Sequence, residues 1–326
     1  MKALLIPRSG TPDVVELTTS PDPQPAGRDV VVRVEAVGIN FADISNIAGR
    51  YPGGPKPPYI PGREFAGVRE DTGERVMGYC QFGAAAEKIA VSPKLIWPQP
   101  QGWDSIRSAA FPVNYFTAWL LYWKAGLIRT KSMHEPLVVE GRRPRVLIHA
   151  AAGGVGTAAV QIGKLIGVGT FGTSSSDGKL ARVHELGLTH GINYTDDDYE
   201  QKIYELTEGK GVDAAFEMLG GNHTAKTQRC VGYLGRVIIY GTATGERPKF
   251  DTLAMYNNAS SVHGLWLSKL AGNFALIAEG LEQMSPWIRD GRLNPVVGTV
   301  LPIERAADGF NLLLHRENYG KVVLTV

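Results

Sequence analysis

The sequence predicts an α/β protein in two parts: a β-rich part, then a doubly wound parallel sheet of six strands with intervening helices. Three observations predict it. Residues 1 to about 120 carry short strand-like stretches broken by proline and glycine. From Val146 onward, apolar runs and helix-spaced segments alternate regularly. At the head of that alternation stands Arg145–Ile162, RVLIHAAAGGVGTAAVQI, in which the apolar run Val146–Ile148 leads through small residues to Val155, Ala159, Ile162 and Ile166 at helical spacing. Strand, glycine turn and helix together let backbone N–H groups and a helix N-terminus face a pyrophosphate. Ala151 stands where the first glycine of G-x-G-x-x-G belongs, so an ordinary strand–turn–helix corner also fits the segment alone.

Taken in order, Val14–Leu17 and Asp29–Ala36 read as strands around the proline-rich loop 21–27. Gly49–Pro58 is an exposed loop, because its prolines fix φ and remove donors. Glu74–Gly78 and Glu87–Val91 resume the strand pattern, and 105–123 reads as helices interrupted at Pro112. Strands follow at 146–150, 168–173, 190–193, 212–217, 236–241 and 261–265. Helices fall between them at 155–166, 177–186, 197–208 and 223–232, with another at 272–291. A last helix, 305–315, precedes the strand 321–326, which has no place in the alternation and is expected to return to the N-terminal part.

A chain of 326 residues suggests two domains, and 44% hydrophobic against 20% charged residues suffices for full cores. Lys+Arg 34 against Asp+Glu 32, with no basic block, argues against nucleic acid as the main partner. The only cysteines, Cys80 and Cys230, form no disulfide framework and no Cys-x-x-Cys site; free thiols in a reducing cytoplasm are expected. The N-terminus reads as a first strand, and no stretch approaches the roughly 18–20 apolar residues of a membrane span.

Six blocks in one order identify a resemblance: Gly38-Ile39-Asn40-Phe41-Ala42-Asp43; Gly49-Arg50-Tyr51-Pro52; Pro61-Gly62-Arg63-Glu64-Phe65-Ala66-Gly67; Phe111-Pro112-Val113-Asn114-Tyr115-Phe116-Thr117-Ala118; His149 to Gly156; and Asn318-Tyr319-Gly320-Lys321-Val322-Val323-Leu324. The chain resembles the zinc-independent medium-chain dehydrogenases/reductases: quinone oxidoreductases, the zeta-crystallin group and enoyl reductases. That family commonly writes its glycine motif Ala-Ala-x-Gly-Gly-Val-Gly, which accounts for Ala151. The resemblance implies a GroES-like catalytic domain over 1–121 and 292–326 and a Rossmann NADPH-binding domain over 122–291. It departs in the segment between Gly67 and Gly73, which is shorter than usual, and in Leu127–Arg145, which is about a dozen residues longer. Zinc members carry Cys where this chain has Asn40 and His where it has Arg63. Arginine neither deprotonates to ligate nor tolerates a neighbouring cation, and four cysteines for a structural zinc do not exist, so no metal is expected.

The second Rossmann strand ends at Thr173 and is followed by Ser174, Ser175 and Ser176, with no Asp or Glu at the strand end to hold a ribose 2′-hydroxyl, and Lys179 one turn on. Hydroxyl donors and a cation suit a 2′-phosphate, so NADPH is expected over NADH. The alternative reading makes Ser174 a helix cap and Lys179 a solvated residue, with Asp177 nearby. By resemblance, Ser174, Lys179 and Tyr194 contact the 2′-phosphate, and Gly153, Gly154 and Val155 the diphosphate. Asn40 and Thr117 lie near the nicotinamide, Gly241 near a ribose, and Asn318 approaches from the returning tail.

Tyr51 matches the tyrosine proposed as proton donor in enoyl reductases; an apolar wall is its alternative role. Arg63 is expected to pair with Glu64 or Asp43, while Trp119, Tyr122 and Trp123 read as one packed helix face, and His149 and His263 as packed residues. The function implied is NADPH-dependent hydride transfer to quinones or α,β-unsaturated carbonyls, in a homodimer paired through the sixth Rossmann strand. Two further readings stay open: an enoyl-thioester (CoA or ACP) reductase, for which no dense basic patch is evident, and a non-catalytic NADPH- or RNA-binding protein of the zeta-crystallin type.

Overall fold

A computed structural model describes residues 1–131, 137, 139 and 141–326. Residues 132–136, 138 and 140 of the lengthened link expected over 127–145 thus lie outside the described residues. The strands are β1 (Lys2–Leu5), β2 (Glu16–Thr19), β3 (Val30–Ile39), β4 (Glu64–Arg69), β5 (Arg75–Tyr79), β6 (Lys88–Val91), β7 (Ile96–Pro98), β8 (Arg145–Ile148), β9 (Gly169–Ser174), β10 (His190–Asn193), β11 (Val212–Glu217), β12 (Val231–Ile239), β13 (Ser261–Gly264), β14 (Val297–Pro302) and β15 (Lys321–Thr325). The α-helices are α1 (Phe41–Ile47), α2 (Ser105–Ala109), α3 (Pro112–Lys124), α4 (Gly154–Leu165), α5 (Asp177–Leu186), α6 (Tyr199–Leu206), α7 (Asn222–Arg229), α8 (Thr252–Asn258), α9 (Leu267–Leu270), α10 (Phe274–Arg289) and α11 (Ala306–Leu314). They form two compact units, Met1–Asn114 with Pro286–Val326, and Tyr115–Ser285.

In the first unit a seven-stranded sheet runs β14-β15-β3-β4-β5-β7, with β6 also paired to β3, beside the hairpin β1-β2. The tail returns here as expected: β15 lies antiparallel to β3, Val322 opposite Ile39. Inward residues of β3, β4, α1, α11 and β15 share one core that includes Val32, Ile39, Ile44, Phe65, Phe310 and Leu324. One strand boundary is corrected. Val14 closes a 3-10 turn that begins at Pro12, whose fixed φ suits a helical start, so the strand opens only at Glu16.

The second unit holds the six-stranded sheet in the order β10-β9-β8-β11-β12-β13, parallel throughout. This is the doubly wound Rossmann arrangement. The chain starts at β8, winds out to β10, then returns to β11 on the other side of β8, so the order reverses between β8 and β11. Ligands of such sheets bind outside the carboxyl ends of the strands at that switch point. Its strands β9 and β11 contain no exposed residue and are buried on both faces. The helices are interrupted at Pro112 as expected: α2 ends at Ala109, and Pro112 opens α3, a position where its missing N–H has no intrahelical partner to lose. Trp119 and Tyr122 are fully buried, and the Tyr122 hydroxyl donates to the Ala159 carbonyl at 2.8 Å, whereas Trp123 is half-buried, so the expected packed face holds for Trp119 and Tyr122. His263 departs from the expected buried position. It sits half-buried on β13, which among the described residues has a neighbouring strand on one side only, and it contacts Ser261 Oγ at 2.9 Å.

Candidate active site

The residues singled out from sequence fall into two groups, one in each unit. In the second unit the β8–α4 turn brings Ala150 to φ +50 and leaves Gly153 as the N-cap of α4. Gly153, Gly154 and Val155 are partly exposed, whereas Gly156 is buried. The two ends of the motif need glycine for different reasons. A Cβ on Gly156 would overlap the Ala150 carbonyl oxygen and come within 2.6 Å of Ala151 Cα, so helix and turn touch there. A Cβ on Gly153 would meet only the Ala150 oxygen, at 3.2 Å. Packing demands the glycine at 156, whereas at 153 its absence of side chain opens the turn outward. The first N–H groups of α4 have no intrahelical acceptor, and such groups can hold an anion.

Thr173 and Ser174 end β9, and both are buried. The Thr173 carbonyl accepts from Ala151 N at 2.9 Å, which ties this strand end to the glycine turn. β10 lies parallel to β9 with Asn193 opposite Ser174, and Tyr194 N donates to the Ser174 carbonyl at 3.1 Å. Ser174 and the exposed Tyr194 are thereby neighbours. The cap of α5 is Ser176, whose Oγ accepts from Lys179 N at 3.3 Å, so Ser174 is not the helix cap. Lys179 is half-buried on the first turn of α5, and Asp177 is exposed.

Behind this surface runs a buried polar chain that joins the two sides of the switch point. Glu217, the last residue of β11, accepts from Leu219 N at 2.6 Å, Gly220 N at 2.8 Å and Thr227 Oγ1 at 2.8 Å. Thr227 Oγ1 lies 2.9 Å from His149 Nε2, and His149 Nδ1 lies 3.1 Å from Thr173 Oγ1. Burial pulls His149 down to about 4, so its ring is neutral near pH 7. The tautomer follows from counting hydrogens. The Thr227 hydroxyl gives its one hydrogen to Glu217, so it accepts from His149 Nε2–H, and Nδ1 accepts from the Thr173 hydroxyl. His149 is a packed connector and not an exposed base. Gly241 follows β12 with Met218 against it, and Thr117 is buried in α3.

In the first unit, Asn40 is the N-cap of α1, its backbone N–H donating to Asp43 Oδ2 at 2.8 Å. Its side chain Nδ2 donates to Glu64 Oε1 at 3.0 Å and to the Gly38 carbonyl at 3.3 Å. Its Oδ1 accepts from Lys321 Nζ at 2.6 Å. Lys321 also contacts Asn114 Oδ1 at 3.4 Å and forms an ion pair with Glu64. Arg63 pairs with Asp43, Nε to Oδ1 3.7 Å, and stacks over the Tyr51 ring with its guanidinium carbon 4.3 Å from the centroid. The pairing expected with Asp43 is present, whereas Glu64 is taken by Lys321. Burial raises the Asp43 carboxyl above the usual carboxylate range, although Arg63 pulls it down. Asn318 lies in the turn before β15, where its Nδ2 donates to the Gly320 carbonyl at 3.0 Å. Lys321 went unremarked in the sequence; a lysine opening the buried run Val322-Val323-Leu324 was the available signal.

Residues 26–101 match the alcohol dehydrogenase GroES-like domain, and residues 154–284 match the zinc-binding dehydrogenase model. A GroES-like β-rich domain with a Rossmann domain defines a class of two-domain oxidoreductases. The chain belongs to the medium-chain dehydrogenase/reductase family. It is 32% identical to the rat synaptic vesicle membrane protein VAT-1 homolog, over 99% of this chain and 84% of that protein. It is 30% identical to the quinone oxidoreductase-like protein 2 homolog of Nematostella vectensis, over 99% and 88%. Among solved structures, the quinone oxidoreductase of Thermus thermophilus, described with its NADPH complex, is 33% identical with a TM-score of 0.86, and each chain is covered in full. Among the described residues, no helix is long and apolar enough to cross a membrane.

The name of the second family model raises the question of zinc, and the donor set here does not fit one. The positions where zinc members carry ligands hold Asn40 and Arg63, with the Lys321 ammonium on Asn40 Oδ1 and the Arg63 guanidinium beside Asp43. A metal ion there would meet two fixed cations, and no group of three His, Cys, Asp or Glu residues among those described is arranged to hold one.

Proposed function

We propose that the protein is an NADPH-dependent oxidoreductase that reduces quinones or α,β-unsaturated carbonyls without a metal. The observation that carries this reading is the end of β9: Ser174 beside Tyr194, Lys179 on the next helix turn, and no carboxylate at the strand end. Hydroxyl, phenol and ammonium suit a 2′-phosphate, which a carboxylate at that position would repel. Bound NADPH supplies the hydride; the protein supplies orientation and charge. In this reading the N–H groups of Gly153, Gly154 and Val155 hold the diphosphate, and Thr173, Ser174, Lys179 and Tyr194 the adenosine phosphate end. Asn40, Thr117, Gly241 and Asn318 serve the nicotinamide half. Conjugated acceptors are favoured because they spread the developing negative charge themselves, whereas a simple ketone needs the Lewis acid that this donor set does not accommodate. For an enone, the Tyr51 hydroxyl delivers the proton, with the Arg63 guanidinium fixing its ring.

Two buried free thiols, Cys80 and Cys230, support a reducing cytoplasmic setting, and the open edge of β13 supports a homodimer. The test is NADPH oxidation with a benzoquinone, a 2-alkenal and a short enoyl-CoA. Turnover of the first two is expected. Turnover of the thioester alone replaces the substrate class, and turnover of none supports a binding role.

A further inference from the structure

We propose that Lys321 is a positioning residue: with Glu64 it clamps the Asn40 amide in one orientation and leaves it able only to accept a hydrogen bond. The inference rests on the role proposed for Asn40 and adds how that role is built. β15 pairs antiparallel with β3, Val322 opposite Ile39, so the next pair outward is Lys321 and Asn40. The returning tail thus delivers a cation to a side chain 281 positions earlier in the chain.

Each partner of the amide has a fixed polarity. The Lys321 ammonium only donates, and its side chain is 3% exposed. The Glu64 carboxylate and the Gly38 carbonyl only accept. Turning the amide over would set Nδ2 against the ammonium and Oδ1 against two oxygens, two repulsions in a buried place. The rest of the surroundings holds this arrangement. Glu64 Oε2 accepts from Val113 N at 2.7 Å, and the Asn40 backbone is held by Asp43. A Cβ on Gly38 would come within 2.7 Å of Lys321 Cε, so that glycine makes room for the lysine.

Counting then decides what Asn40 offers. Both hydrogens of Nδ2 are committed, and Oδ1 has given one of its two lone pairs to Lys321. Oδ1 also faces the Asp43 N–H in the α1 capping box, so whatever capacity the amide keeps is that of an acceptor. It suits a hydrogen-bond donor such as a hydroxyl or a carboxamide N–H, and it repels a developing oxyanion. Asn40 therefore orients a donor group of its ligand, and the charge that builds on the substrate oxygen is met elsewhere.

A double-mutant cycle tests this, using kcat/KM for benzoquinone reduction by NADPH together with melting temperature. Asn40→Ala and Lys321→Met are each expected to lower kcat/KM by about tenfold or more, and the double variant to lose little beyond either alone. Removing both charges in Glu64→Gln/Lys321→Met is expected to restore melting temperature but not kcat/KM. If Lys321→Met fails to fold, that pair takes its place in the cycle. Additive losses, or recovery of kcat/KM in the charge-free pair, overturn the inference while leaving the role of Asn40 intact. A wild-type rate in Asn40→Ala overturns that role and the inference with it.

Discussion

Replacing Gly156 by alanine separates the two duties of the glycine motif. The added Cβ lies 2.6 Å from Ala151 Cα and 2.7 Å from Ala151 C, and both are backbone atoms that no rotamer can move. Restoring an ordinary 3.4 Å contact to Ala151 alone requires α4 to withdraw by roughly 0.8 Å from a close-packed turn, and the overlapped Ala150 carbonyl oxygen demands more. Overpacking of this kind costs ~1–3 kcal/mol, and a backbone-to-backbone overlap belongs at the top of that range. For a unit of this size, about 3 kcal/mol corresponds to a melting-temperature loss of about 6–12 °C. The withdrawn helix also moves its first N–H groups, so NADPH affinity falls with stability. Gly153→Ala is the control. Its φ of −83 is open to any residue and its Cβ meets one oxygen at 3.2 Å, so melting temperature stays within about 2 °C while NADPH affinity still falls. Calorimetry and NADPH titration on both variants decide. Wild-type stability in Gly156→Ala, or wild-type affinity in Gly153→Ala, refutes the division of duties.

Two further outcomes are expected. His149 titrates at about 4 in the folded chain, below its ordinary value near 6.5, so protons favour the unfolded chain. Its contribution is undiminished above pH 6.5, and roughly 3 kcal/mol of stability is lost as pH falls from 6.5 to 4. Melting temperatures across that window should fall less steeply in His149→Gln; an unchanged slope assigns the acid sensitivity to other groups. Tyr51→Phe keeps the ring under Arg63 and removes only the hydroxyl. Turnover of a 2-alkenal should drop by about 100-fold, with quinone turnover and NADPH affinity held, and an unchanged alkenal rate retires the acid role.

What was legible in the sequence follows how local the determining physics is. β11, every residue of which is buried, matches its expected bounds at both ends, and so does the half-buried edge strand β10, which was placed by its position in the strand–helix alternation. β4 does not announce itself: it opens on the charged Glu64, whose buried carboxylate is matched by Lys321 from the far end of the chain, Asn40 and Val113 N. The short helices α8 and α9 carry no core-facing stripe, as neither contains a buried residue, and they leave no periodic signal. Asn40 and Tyr51 were candidates from the sequence, and Arg63 was expected to pair with Glu64 or Asp43, but the hydrogen-bond partners of Asn40 depend on the register of β15 with β3, which no local pattern encodes. His149 was recognisable as packed; its link from Glu217 to Thr173 required three elements to be placed together.

The central claim is that the end of β9 receives a 2′-phosphate, and side-by-side titration of NADPH and NADH into the same preparation tests it most directly. Ser174, Lys179 and Tyr194 predict NADPH binding tighter by about tenfold or more, through charge-assisted hydrogen bonds to the phosphate. Equal or tighter binding of NADH would contradict it.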